Sequence, residues 1–210
     1  MPSHYAHYRF GAAGAAALEP PVRQVVQRWR SLYDIGLHGP DIFFYYDPLH
    51  LTDLGPLGKT LHRQSGREFF TRVCRRLRLN PSEPGLAYVY GMLSHYCLDA
   101  LCHPYVNEAV SAGEAEHIEM ETEFDRFLLE LDGKLLPAPR DTTGHMRLTR
   151  QGAQAIAPLY PSVTPALLQC CVSRMRVFTR LFTGRQGLRH AVPNLTPSSA
   201  KIERKTERHL

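Results

Sequence analysis

Apolar runs long enough to cross a membrane are missing from this 210-residue chain, since no segment approaches the ~18 consecutive apolar residues that a span requires. Strand signals are nearly as scarce, because the segments between proline and glycine breakers follow a helical rather than an alternating period. Cysteine is sparse: there are five, an odd number, with Cys170 and Cys171 adjacent and no pair at structural-zinc spacing. Neither a disulfide framework nor cysteine-bound zinc is therefore expected. Cys97 and Cys102 are read as small buried apolar residues. The N-terminal segment MPSHYAHYRFGAAGAAALEPP lacks the basic-then-apolar order of a secretory signal, and with the cysteine usage this predicts a cytoplasmic protein.

What remains is an ordinary globular composition, 43% hydrophobic and 21% charged, arranged as an all-α protein. A first helix is expected from Pro20 through Ile35, with proline in its first turn and Gly36 and Gly39 ending it. The segment GPDIFFYYDPLHLTDLGPLG reads as a loop, and its aromatic run Phe43 to Tyr46 either packs on the bundle or lines a cleft. A strongly basic helix follows from about Gly58 to Leu79, stopped by Asn80-Pro81, its exposed face expected to pair with an acidic helix further on. The helix after Pro84, PGLAYVYGMLSHYCLDALCHPYV, is apolar nearly all round and should be the buried centre, with Pro104 marking its end. The acidic helix, GEAEHIEMETEFDRFLLELDG, closes at Gly133, with Glu123 and Asp125 read as helix surface. Two more helices are expected, Thr149 to Ala157 and Pro165 to Phe182. Residues 1–183 thus form one helical domain, and residues 184–210 a basic tail. That tail holds six basic residues against two acidic, a net +4, and so carries most of the formal +5 of the chain.

Histidine is abundant, with 11 residues, and its placement is patterned. On the central helix His95, Asp99 and His103 stand at i, i+4 and i+8, a stripe rising ~6 Å per step. Buried imidazoles and carboxylates need partners, since an unpaired one costs on the order of 1–3 kcal/mol, and a metal supplies several at once. His117-x3-Glu121 adds an i, i+4 pair on the acidic helix, so that His103, His117 and Glu121 make a three-ligand His2Glu set with an open position, the arrangement of a catalytic zinc. Asp41, His62 and His7, with His4 as a further candidate, are more scattered. Other metal signatures fail. Glu114-x2-His117 is the only Glu-x2-His motif, where di-iron bundles need two, and neither adjacent His-Asp nor His-Glu-x2-His occurs.

Taken in order, MPSHYAHYRFG, GPDIFFYY, LHRQSG, GMLSHYCLDALCHPYV and HIEMETEFD resemble the zinc-dependent phospholipase C family, which is structurally related to the P1/S1 nucleases. The resemblance spans about residues 1–130 and implies an all-α fold with up to three zinc ions in a cleft that hydrolyses phosphate esters. Carried over to this chain, it implies His103, His117 and Glu121 at one zinc and Asp41, His62, His95 and Asp99 at a second. His7 and a bridging Asp99 would hold the third. Asp41 would also orient or deprotonate the attacking water. Secreted members complete the third site with a mature N-terminal tryptophan that this chain lacks, leaving His4 as a substitute. The substrate class implied is a lipid-like or small organic phosphodiester, with lipid contact. A nuclease or nucleotidase is the second reading, nucleic acid being also a conceivable partner of the basic tail, and a non-catalytic zinc-stabilised binding protein the third. His38, His50, His145, His190 and His209 are read as ordinary residues.

Overall fold

The computed structural model describes residues 4–46, 56–113, 116–134, 141–161 and 163–183. Among them are nine α-helices and two short 3₁₀ segments, with no strand. In chain order these are α1 (His4–Ala17), α2 (Pro20–Arg28), α3 (Arg30–Gly36), a 3₁₀ segment (Gly39–Tyr45), α4 (Pro56–Arg63), α5 (Gly66–Leu79), α6 (Glu83–Ser111), α7 (His117–Leu131), α8 (Arg150–Ile156), a second 3₁₀ segment (Ala157–Leu159) and α9 (Pro165–Thr183). No described helix is long and apolar enough to cross a membrane. The 184–210 tail lies outside the described residues.

The 29-residue α6 is the axis. Ser82 caps its start by accepting a hydrogen bond from the Gly85 N–H at 3.1 Å. Its N-terminal half is buried through Ala87, Tyr88, Val89, Met92 and His95, and α3 lies against it at backbone contact. A Cβ built on Gly36 would meet the Tyr88 carbonyl at 2.2 Å, and one on Gly91 would meet the Tyr33 carbonyl at 2.2 Å. Only two glycines allow this approach, and it is what carries the Leu37–Asp41 turn onto His95. Around the axis Ile35, Ile42, Phe43, Ile156, Leu168, Val172 and Met175 close the principal core, with the buried Tyr88 and Tyr160 hydroxyls 2.5 Å apart. Phe43 and Tyr45 belong to this core, and Phe44 and Tyr46 pack against it, so the aromatic run is packing.

Several boundaries differ from expectation. The helix expected from Pro20 to Ile35 breaks at Trp29 (φ −116°, ψ 38°), where the indole N–H donates to Glu83 at 3.2 Å and α3 turns onto α6. The basic helix splits before Ser65, whose hydroxyl accepts from the Glu68 N–H and starts α5. Pro104 does not end α6, which runs on to Ser111. The proline removes a single hydrogen bond, the one to the carbonyl of Ala100, an exposed residue. Cys97 is exposed and Cys102 half-buried, not the fully buried residues expected. Nor does α5 pair with α7, for no ion pair joins the two among the described residues.

The N-terminal helix α1 has no amphipathic pattern to announce it, being held by tertiary caps from α7. Asp125 accepts from the backbone N–H groups of Tyr5 and Ala6 at 2.9 and 2.8 Å, so the residue expected on the acidic surface is a capping group for a different helix. Two turns along α7, Asp132 accepts from the Tyr5 hydroxyl at 2.5 Å and from Arg9. These contacts seat His4 and His7 over α6.

A methyl group at the glycine seam should be costly and one elsewhere should not. Gly91→Ala is expected to lower the unfolding free energy by about 3 kcal/mol, the upper part of the overpacking range. Gly14→Ala, with nothing within 4 Å of its added Cβ, should be neutral or stabilise by up to ~1 kcal/mol. Urea unfolding of both variants measures the contrast. A second prediction concerns acid. The Thr143 hydroxyl and backbone N–H, with the Arg180 guanidinium, hold the Asp141 carboxyl down at about 2. A depressed folded-state value gives stability that is present above the unfolded value of ~3.9 and is lost as pH falls toward 2. Thermal melts of Asp141→Asn should therefore be less pH-dependent than wild type between about pH 4 and 2.

Candidate metal centre

Three groups of imidazoles and carboxylates converge where α1, the first 3₁₀ segment, α4, α6 and α7 meet. The structure brings together His7, His95 and Asp99, then Asp41, His62 and His95, and then His103, His117 and Glu121. Within each, the ligand atoms lie inside 4.8 Å of one another. All eight residues named from the sequence are in these groups. His4 is placed differently, its Nε2 2.5 Å from the Tyr45 hydroxyl.

Asp99 sits between two histidines, with Oδ1 3.2 Å from His7 Nε2 and Oδ2 3.2 Å from His95 Nε2. The His7 and His95 rings stack with centroids 4.1 Å apart. Asp41, 1% exposed, lies 2.7 Å from His62 Nε2 and 4.0 Å from His95 Nε2. At the outer end His117 Nε2 is 2.9 Å and His103 Nε2 3.8 Å from Glu121 Oε1. The centre is graded from buried to open, since His7 and His95 are covered while the His103 and His117 side chains are 34% and 38% exposed.

The proton positions follow from the backbone. His95 Nδ1 faces the Leu37 carbonyl at 3.1 Å, His62 Nδ1 the Gly58 carbonyl at 3.0 Å and His103 Nδ1 the Asp99 carbonyl at 3.0 Å. A carbonyl only accepts, so each Nδ1 carries the hydrogen. In neutral rings each Nε2 then presents a lone pair, and all three point toward carboxylates. His95 Nε2 and His7 Nδ1 are buried without a hydrogen-bond partner. Lone pairs that face carboxylates are relieved by a cation between them, a proton or a metal ion, and an imidazole oriented through its other nitrogen is the usual form of a metal ligand. The residues present fit zinc, which takes nitrogen and oxygen donors of this kind.

The same clustering displaces the titrations. Burial pushes the Asp99 carboxyl up, but the His7 and His95 ring nitrogens 3.2 Å from its oxygens outweigh it and hold the group well below the usual carboxylate range. Burial lowers His95, yet Asp41 and Asp99 reverse the sign and raise it. His7 is lowered by burial and by His95, and burial raises Glu121.

Two histidines expected to be ordinary stand against this centre. His38 is 1% exposed, and its Nε2 lies 2.7 Å from His145 Nε2. Tyr8 stacks on His145 with ring centroids 3.9 Å apart. Burial and mutual repulsion lower His38 well below its ordinary value, and burial brings His145 to about 4. Two neutral rings sharing one hydrogen satisfy the 2.7 Å contact. His38 also supplies the carbonyl that accepts from the Asp41 N–H at 3.1 Å. Gly39, at φ +50°, has no room for a side chain, since a Cβ there would lie 2.3 Å from the His95 ring. His38 is thus embedded in the turn that delivers Asp41 and the His95-orienting carbonyl. The signal was the adjacency within LHGPD, which spacing rules for ligands do not reward, while His145 lies more than a hundred residues away in sequence.

The profile of the zinc-dependent phospholipase C family matches residues 6–160, an interval that holds every member of the three groups. No curated protein and no solved structure matches the chain.

Elemental analysis of protein purified without chelator should find zinc at one equivalent or more. His95→Ala and Asp99→Ala are expected to lose most of it, whereas His190→Ala should retain it. Asp125→Ala should lower stability by about 1 kcal/mol through the lost cap and weaken zinc retention at the His7 group, read as partial zinc loss on dialysis with the His103 group still loaded.

Proposed function

The chain belongs to the zinc-dependent phospholipase C family, and we propose that it is a zinc-dependent phosphoesterase acting on a lipid-like or small organic phosphodiester. One observation carries the reading: the three histidines whose Nδ1 hydrogens are spent on backbone carbonyls, leaving every Nε2 turned toward a carboxylate. Nothing about a helical bundle's stability requires that arrangement, and it is what cation binding requires.

In this reading His103, His117 and Glu121 hold one ion, Asp41, His62, His95 and Asp99 a second, and His7 with Asp99 a third. Zinc bound there supplies Lewis-acid charge to the phosphoryl oxygens and lowers the pKa of water. The protein's own groups do the rest. Asp41, anchored through its backbone N–H and the His62 imidazole, is positioned to orient and deprotonate the attacking water, which adds to phosphorus as the ester oxygen leaves. His95 and His62, fixed by the Leu37 and Gly58 carbonyls, keep the donor atoms from turning away. The substrate enters from the half-exposed His103 and His117 end.

A substrate panel tests this. Phosphatidylcholine in mixed micelles and bis(p-nitrophenyl) phosphate should be cleaved to products that retain a phosphomonoester. The activity should disappear on chelation and return with zinc. Asp41→Asn is expected to lower kcat by ~10²–10⁴-fold, the range for a lost general base. Faster cleavage of single-stranded DNA than of either ester would favour the nuclease reading. Retained zinc with no hydrolysis of any ester would favour a binding protein.

A further inference from the structure

A cavity of about 570 Å³ lies apart from the metal groups, between α5, α8, the second 3₁₀ segment and the start of α9. Its volume is within the ~300–1,000 Å³ of small-molecule sites. One wall is basic and the other apolar. Arg72 and Arg76 stand at i and i+4 on α5, one turn apart on the same face, while Pro158, Pro161, Val163 and Pro165 form the opposite side.

The arginines are not accounted for by the fold. No carboxylate lies within ion-pair distance of either among the described residues. The Arg72 guanidinium is nevertheless held in place, with Nη2 donating to Gln64 Oε1 at 3.2 Å and the group lying over the Phe69 ring at 5.4 Å. Its Nε is buried with no hydrogen-bond partner, so a largely withdrawn, oriented cation uses only part of its five-donor fork. Arg76 beside it is exposed, and like charges at this spacing repel unless an anion sits between them. Guanidinium pairs bind planar or tetrahedral oxyanions through paired N–H bonds. The proline rings facing them are rigid, so an apolar body packs there with little conformational entropy to lose.

We propose that this cavity is a binding site for a small organic oxyanion, its phosphate, sulfonate or carboxylate head on Arg72 and Arg76 and its apolar body against Pro158, Pro161 and Val163. Gln154, on the α8 side, supplies an amide that can bond a polar substituent of the ligand. The site shares no residue with the metal groups and needs no metal.

Naphthalene-2-sulfonate, an ester-free probe, titrated into the zinc-loaded full chain by calorimetry tests the assignment. One saturable site is expected. Arg76→Glu should weaken it at least tenfold without changing the melting profile or zinc content, Arg72→Gln should do likewise, and Arg78→Gln, outside the cavity lining, should leave it unchanged. Inorganic phosphate should compete, and neutral 2-naphthol should bind at least tenfold more weakly. If Arg72→Gln fails to fold, the exposed Arg76 carries the test alone. Undiminished binding to Arg76→Glu, which is what capture at the metal centre would give, overturns the proposal. So does equal binding of 2-naphthol, or no saturable heat at millimolar probe.

Discussion

The centre depends on two helices touching at the backbone. Gly36 and Gly91 let α3 and α6 approach until a methyl group on either would strike a carbonyl at 2.2 Å. Nothing downstream would survive a wider spacing. The Leu37 carbonyl would miss His95 Nδ1, the turn at Gly39 would no longer lie on the His95 ring, and Asp41 would not reach the imidazoles. Protein interiors are close-packed and transmit such a displacement rather than absorb it.

A second constraint is electrostatic and opposes the first. Close packing dries the site, and a dry site penalises unpaired carboxylates and imidazoles. Asp99 answers by splitting its two oxygens between His7 and His95, and Asp41 by leaning on His62. These contacts stand in for a cation without satisfying every atom, which is why orphaned polar atoms collect here. Charge that is missing from the composition, about +2 per bound zinc, would be concentrated where a phosphate has to bind. Arg72 and Arg76 on α5 line a cavity that shares no residue with these groups.

The N-terminal helix shows how distant residues serve the same centre. Its amide ends are capped by Asp125 and its side chains tied to Asp132, so α7 contributes twice, once with His117 and Glu121 and once by seating His7. His38 and His145 act at a similar remove, packed beneath the turn that carries Asp41.

Sequence alone determined what local periodicity can express. The i, i+4 and i+8 stripe of His95, Asp99 and His103, the His117 and Glu121 pair and the stops at Asn80 and Gly133 are all read within a few residues of chain, because a helix has a fixed period and its ends need particular residues. The ordered motifs also indicated the family and with it the eight residues that the fold gathers. Other features belonged to the tertiary structure. The break at Trp29 depends on Glu83, α1 depends on Asp125, the survival of α6 past Pro104 depends on the exposure of Ala100, and the burial of His38 depends on His145. Each is settled by a partner 50 or more residues away or by access to water, and no local pattern records either. Which way an imidazole turns its lone pair is decided in the same manner, by the carbonyl that the packed backbone happens to place behind it.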